Sequence, residues 1–186
     1  MARRVVASTY ITLDGYIDNP GRWSFPFWSE EAAQFKAREL FASDAQLLGR
    51  ITYEQFASAW PTMQGTGEFG EKMNAMPKYV ASRTLKDATW NATIIQGDVA
   101  DAVRTLKAQD GGDLLIGGSG QLIDYLTHYD LVDEYRLMLH PIVLGSGEKR
   151  LFATVQDRRF ALDSTETLPH GIIVLTYHVQ PGADAS

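Results

Sequence analysis

From Val5 to Ile11 apolar and β-branched residues run almost unbroken until Asp14-Gly15 intervenes, which predicts a buried strand ending in a turn. Gly21 to Trp28 is aromatic but has no period, and reads as a loop. Ser29 stands where a helix cap belongs, with Glu30 and Glu31 in the first turn, and Ala32, Phe35, Leu40 and Phe41 give that helix an apolar side through Ala42. Gln46 to Leu48 predicts a short buried strand running into Gly49-Arg50, and a helix follows from Thr52 to Ala59. Pro61 to Gly70 carries three glycines and reads as a mobile loop. Lys78 to Ser82 and Ala92 to Gln96 are two further strands. Asp98 caps a helix whose Val99, Ala102, Val103 and Leu106 recur at helical spacing, and Gly111-Gly112 ends it. Leu114 to Ile116 is a buried strand, and Gly117-Gly118-Ser119-Gly120 opens a helix to about Leu126. The last third changes character: Asp133 to Leu139, Arg159 to Thr167 and Ile172 to Val179 are strands, the last two joined by a Pro169-His170-Gly171 turn.

Alternating strands and helices followed by antiparallel strands predict an α/β protein of three layers, a mixed central sheet with helices on both faces. No repeat, low-complexity tract or linker interrupts the chain, so residues 1–186 read as a single domain. Hydrophobic residues at 45% and charged residues at 22% are globular proportions. The net charge of −6 argues against a nucleic-acid partner, which would need a basic face. With no cysteine in the chain, disulfides, thiolate catalysis and cysteine-ligated metal are excluded, and a cytoplasmic location is the expectation. The opening Met1-Ala-Arg-Arg has the charge of a signal peptide, but the run after it includes Ser8, Thr9 and Thr12 and reaches Asp14 too soon. No segment approaches the roughly 20 apolar residues of a membrane helix.

The candidate chemistry lies at two strand-to-helix junctions, Leu48-Gly49-Arg50-Ile51-Thr52-Tyr53-Glu54 and Ile116-Gly117-Gly118-Ser119-Gly120-Gln121. Glycine at such a junction lets backbone approach a ligand, and the first N–H groups of the helix point at an anion. Arg50 and Thr52 add a guanidinium fork and a hydroxyl, the donors a phosphate needs. Two such junctions on one sheet suit the two phosphates of a dinucleotide. The second is not a Rossmann fingerprint, because Gln121, Leu122 and Ile123 follow where a third glycine would stand. The four histidines show no spacing that suggests a metal site, and no serine, histidine and aspartate pattern suggests a hydrolase.

The order of a strand ending in Asp14-Gly15, an aromatic loop, an acidic helix start, Gly49-Arg-x-Thr-Tyr-Glu54, Lys78-x-Val-x-Ser82 and Ile116-Gly-Gly-Ser119 resembles the dihydrofolate reductase fold. The closer resemblance, from Val5 to about Val179, is to the reductase domain that ends the bifunctional riboflavin deaminase-reductase and to its small stand-alone relatives. Thr12-Leu13-Asp14-Gly15 and His140-Pro-Ile-Val-Leu-Gly145-Ser-Gly147 carry the likeness to the latter. The resemblance implies an NADPH-dependent reductase and a homodimer, acting on a small molecule such as 5-amino-6-(5-phosphoribosylamino)uracil. A pterin or dihydrofolate is the alternative substrate, and a non-catalytic nucleotide-binding dimer is the alternative of another class. It further implies that Gly49, Arg50 and Thr52 hold phosphate groups, that Ser82 and Arg83 meet the adenosine 2′-phosphate, and that Gly117, Gly118, Ser119, Gly120, Gln121 and Leu122 cradle the pyrophosphate. In folate reductases the paired glycines share a cis peptide, and the same is expected of Gly117–Gly118.

Two carboxylates are candidates for handling the substrate's proton. Aligning Phe35-Lys36 with the Phe-Lys pair of the folate enzymes puts Glu31 at their pterin-binding carboxylate. Asp14, at the end of the first strand, is the second candidate. Against each stands an ordinary role, as a first-turn helix carboxylate for Glu31 and as turn chemistry for Asp14. Trp23 and Trp28 are candidates to stack on a flat substrate, with a satellite hydrophobic cluster or a subunit contact as the alternative. His140, at a strand end, reads as a structural histidine.

Overall fold

The computed structural model describes residues 2–180. Eight strands, β1 (Val5–Thr12), β2 (Ser43–Gly49), β3 (Lys78–Ala81), β4 (Ala92–Ile94), β5 (Asp113–Gly117), β6 (Glu134–His140), β7 (Phe160–Thr167) and β8 (Ile173–Val179), form one sheet in the order β4-β3-β2-β5-β1-β6-β8-β7. The first six run parallel; β8 inserts antiparallel between β6 and β7. The expected mixed α/β sheet is therefore observed, with the antiparallel pairing confined to the last third of the chain.

Five helices cover it: α1 (Glu30–Phe41), α2 (Arg50–Ala59), α3 (Gly67–Ala75), α4 (Val99–Lys107) and α5 (Gly120–His128). Strand side chains alternate between faces, and the core divides accordingly. Val5, Ala7, Ala45, Leu47, Leu114 and Ile116 pack with Val103 and Leu106 of α4 and Leu122, Ile123 and Leu126 of α5. Val6 and Leu115 look the other way, onto Leu40 of α1 and onto Met73 and Met76 at the end of α3. Leu48 and Val80 meet Tyr53 of α2. Neighbouring residues of β1 and β5 are thus buried on opposite faces, which explains why these strands read as unbroken apolar runs.

Helix ends follow the sequence cues. The Ser29 hydroxyl accepts from Ala32 N–H at 3.1 Å and the Asp98 carboxylate from Asp101 N–H at 3.0 Å, capping α1 and α4. One expectation fails. The glycine-rich stretch from Pro61 to Gly70 is no mobile loop throughout, because α3 begins within it at Gly67. Its apolar residues Phe69, Met73 and Met76 recur at helical spacing and pack on α1 and Trp60. The glycine at 70 has a steric reason: a Cβ there would stand 1.9 Å from the Thr66 hydroxyl. Among the described residues no helix is long and apolar enough to cross a membrane.

Candidate functional site

The carboxyl ends of β1, β2, β3 and β5 lie side by side, and both glycine junctions open there. Gly49, the last residue of β2, pairs with Ala81 of β3, which places Ser82 and Arg83 beside the start of α2. Gly117, the last residue of β5, pairs with Ser8 of β1. A parallel sheet presents its ligand site at this edge, where strand ends meet helix starts. The two junctions touch: Gly49 N–H donates to the Ser119 hydroxyl at 3.0 Å. Ser119 therefore heads α5 while its side chain serves the entry to α2, and it makes no capping bond within its own helix.

The backbone is tightly specified here. Gly118 has φ +68° and Ser119 φ +53°, two successive residues in the left-handed region, the second one not a glycine. A strained non-glycine residue at a strand end is a feature that binding sites retain. The Gly117–Gly118 peptide is trans, contrary to the cis bond expected from the folate enzymes; the turn is made by the positive φ angles, and Gly118 N–H donates to Ser8 C=O at 3.1 Å. Gly49 and Gly117 have a different meaning. A Cβ on Gly49 would come no nearer than 3.7 Å to the Ser119 hydroxyl, and one on Gly117 no nearer than 3.9 Å to Phe56. The fold itself would accept a Cβ at both positions.

Arg50 forms an i,i+4 pair with Glu54 at 3.0 Å, both side chains close to half exposed. Such a pair contributes about 0.3–0.5 kcal/mol, so an incoming phosphate displaces it at little cost. The Ser82 hydroxyl accepts from Thr84 N–H at 3.2 Å and Leu85 N–H at 2.9 Å, which shapes a turn that presents exposed Arg83. The structure brings Gly49, Arg50, Thr52, Ser82, Gly117, Gly118 and Ser119 to one edge, with Gly120, Gln121 and Leu122 forming the first turn of α5 beside them.

The two candidate carboxylates have other surroundings. Asp14 accepts from the Thr12 hydroxyl at 2.7 Å, Leu144 N–H at 3.2 Å and Gly145 N–H at 2.8 Å. Those bonds, the Thr12 one foremost, hold its pKa below the usual carboxylate value. It braces the loop after β6 against the turn after β1. Glu31 is exposed, seven residues before Arg38, whose guanidinium pairs with Glu166 of β7 at 2.8 Å.

The aromatic loop divides in two. Trp23 is buried, donates from Nε1 to Asp18 C=O at 3.0 Å, and stands edge-on to His140 with ring centres 5.1 Å apart. Phe27 and Tyr10 complete that cluster. His140 bonds Met138 C=O through Nδ1, and burial holds its pKa below the ordinary histidine value. Trp28 is 46% exposed.

Sequence reasoning missed a buried polar cluster beside the second junction. Glu39 of α1 is 1% exposed; Lys36 Nζ lies 2.5 Å from its Oε2, and the Ser8 hydroxyl is 2.9 Å from the same oxygen. Lys36 Nζ donates to Ser8 Oγ at 2.8 Å, and Arg136 of β6 stands 3.6 Å from Glu39 Oε1. Lys36 and Glu39 are three residues apart on a helix, which in sequence looks like an ordinary surface pair.

The comparisons agree with this architecture. The family model described as the RibD C-terminal domain matches residues 3–174. The chain belongs to that family. The Bacillus subtilis protein YyaP, a relative, is 29% identical over 181 residues, 95% of each chain. Among solved structures, a putative riboflavin biosynthesis protein from Shewanella sp. PV-4 superposes with a TM-score of 0.77 at 22% identity, covering 97% of this chain and all of that one. A pyrimidine reductase-like protein from Corynebacterium diphtheriae superposes with a TM-score of 0.69 at 14% identity, over 97% and 93% of the two chains. As a RibD C-terminal domain the chain is reductase-like at the level of its family.

Proposed function

We propose that this protein is an NADPH-dependent reductase of a small heterocycle, of the 5-amino-6-(5-phosphoribosylamino)uracil reductase type. The observation that carries the reading is the bonded pair of junctions, where Gly49 N–H meets the Ser119 hydroxyl and two helix starts face one ligand edge. The residues present fit a dinucleotide. Gly49 and Gly117 leave room that the fold does not use, and the N-terminal N–H groups of α2 and α5 supply donors to anions. In this reading Gly49, Arg50 and Thr52 hold one phosphate and Gly117 to Leu122 the pyrophosphate. Ser82 and Arg83, beside Arg50, take the adenosine 2′-phosphate. NADPH supplies a hydride when bound. The protein's part is to fix the acceptor carbon against the bound cofactor, to keep water out with the aromatic loop, and to deliver a proton. Trp28 is the exposed loop residue left to stack on a flat ring, while Trp23 forms the wall behind it. Glu31, at the helix start nearest the loop, is proposed as a contact to the outer part of the substrate, and Asp14 as the brace of the pocket rim. The active protein is proposed to be a homodimer.

Fluorescence titration with NADPH and NADH tests the cofactor. A charge-assisted hydrogen bond contributes about 1.5–3 kcal/mol, or roughly ten- to a hundred-fold in affinity. NADPH should bind at least tenfold tighter than NADH, and Arg50→Ala should erase most of that preference. Equal affinity of the wild-type protein for the two cofactors would refute the assignment. Loss of nicotinamide absorbance with 5-amino-6-(5-phosphoribosylamino)uracil then tests the substrate.

A further inference from the structure

On the face of the sheet covered by α1 and α2, three residues stand in a row across three strands: Arg136 of β6, Ser8 of β1 and Gly117 of β5. Two of them carry polar side chains and the third carries none. Phe56 of α2 lies on one side of Gly117, 3.9 Å from where its Cβ would be. Lys36 of α1 lies on the other, its ammonium on the Ser8 hydroxyl. The space over Gly117 thus has Phe56 on one side and, on the β1 side, the Ser8 hydroxyl that carries the Lys36 ammonium. Ser8 ties this row to the cofactor edge, because its carbonyl accepts from Gly118 N–H.

A lysine held this way has an unusual cost and an unusual use. Glu39 is buried with two cations, Lys36 and Arg136, and its Oε1 has no hydrogen-bond donor. Burying charges costs several kcal/mol per ion even when they are paired, and breaking such a pair costs more than replacing it whole. Lys36 folded inward offsets the buried Glu39 charge, at the cost of its own hydration. Lys36 Nζ has three protons, and Ser8 and Glu39 take two of them. The third is unassigned, and the ammonium lies beside the row that ends at Gly117.

We propose that the Lys36 ammonium, oriented by Glu39 and Ser8, meets the electronegative atom next to the carbon that receives hydride and gives it a proton. This rests on the reductase reading and names the group that completes it. The substrate class follows: a compound with a C=N or C=O bond, flat enough to lie between Phe56 and Lys36. As hydride bonds to the carbon, the π pair of the double bond becomes a lone pair on nitrogen or oxygen. That atom forms its new bond to a proton as one N–H bond of Lys36 breaks. The substrate gains two electrons as the hydride that NADPH would supply, NADP+ being the oxidised product, and neutral Lys36 recovers its proton from water. The groups that face Lys36 are Glu39 on its own helix, Tyr10 and Ser8 on β1, and Arg136 on β6. Burial is the largest single influence on Lys36 and pulls its pKa down, but the attraction of Glu39 and Tyr10 and the hydrogen bond to Glu39 together hold it above the ordinary lysine value. The ammonium is then present across the neutral range, and turnover should be flat from pH 6 to 9. A carboxylic acid donor would instead give turnover that falls as the pH rises.

The test uses the full-length protein, with NADPH and 5-amino-6-(5-phosphoribosylamino)uracil as probes. Lys36→Met should bind NADPH within about twofold of wild type but turn over about 10²–10⁴-fold more slowly, the usual range for a lost acid–base group. Because that variant strands a buried carboxylate, the double variant Lys36→Met/Glu39→Gln is measured beside it. It should fold and stay equally slow. Recovery of wild-type turnover in the double variant would mean that Lys36 only balances a buried charge, and the proposal falls. A readout independent of turnover is the Lys36 ammonium signal in 15N-lysine-labelled protein, assigned by its loss in Lys36→Met. It should shift when the pyrimidine is added to NADP+-loaded wild type; an unmoved signal overturns the proposal. If wild type fails to bind NADPH, the reductase reading fails by itself. A shift on adding the pyrimidine alone then upholds Lys36 as the substrate contact, and no shift ends both.

Discussion

Lys78 is the residue most at odds with its surroundings. It is fully buried at the start of β3, with its ammonium 3.0 Å from Asn74 C=O and 3.9 Å from the centre of the Trp90 ring, and no carboxylate accompanies it. Burial lowers its pKa to about 8. Between that value and the ordinary 10.5, the unfolded chain holds a proton that the folded chain does not, so stability should rise with pH across this window. The difference corresponds to roughly 3 kcal/mol in full. Urea denaturation at pH 7.5 and pH 10 should show a midpoint that rises in wild type and stays nearly level in Lys78→Met; parallel behaviour of the two proteins would contradict a buried, proton-shedding lysine. Above pH 10 the gain reverses. Tyr135 has its pKa pushed up to about 12 by burial, and the unfolded chain ionises its tyrosines first. None of this shows in the sequence, where Lys78 follows a proline and opens a strand like any edge lysine. Asp14 is the opposite case: its turn chemistry was legible, and the three donors on its carboxylate are what an Asp-Gly turn beside a second loop provides.

At the scale of elements, the two junctions were legible because glycine at the end of an apolar strand has few explanations. The structure separates those explanations. Gly118 needs its positive φ, whereas Gly117 and Gly49 meet no atom that forbids a side chain. Gly117→Ala should therefore melt close to wild type yet bind NADPH at least tenfold more weakly, because its methyl group occupies the space over this position. Gly118→Ala should lose about 1 kcal/mol or more of stability from strain alone. Thermal melts and a fluorescence titration read both; if Gly117→Ala binds NADPH as wild type does, Gly117 does not line the cofactor site. What stayed hidden has physical causes. The glycines of Pro61 to Gly70 masked the start of α3, whose apolar stripe is completed only by Met73 and Met76. Ser8 lies inside an apolar run and Lys36 and Glu39 inside a helix of ordinary composition, so their meeting depends on the pairing of β1 and the inward rotation of α1.

Across the whole molecule, the helices cover β1 to β5 on both faces, but the outer strands keep one face bare. On the side of α4 and α5, Tyr135 and Leu137 of β6, Phe160 of β7 and Tyr177 of β8 line a hollow of about 370 Å³ together with Phe152. Leu162 beside it is 52% exposed. An apolar sheet face of this kind is what a two-fold dimer would bury. Sedimentation at micromolar concentration should give twice the chain mass of 20.7 kDa. Leu162→Glu places like charges together across the two-fold axis and should shift the protein toward monomer without lowering its intrinsic order; a wild-type monomer would refute the dimer. The strand order has a further consequence, for the making of the protein. β1 lies between β5 and β6, and its Val5 and Val6 find their partners in Leu114 and Glu134. β1, buried along most of its length, is synthesised before either partner and is paired only after most of the chain has followed. Until then it must be shielded by its own collapse or by a chaperone. Refolding from denaturant should accordingly be slow for a protein of this size, and yield should fall with rising concentration as Val5 to Ala7 find the same segment in other chains.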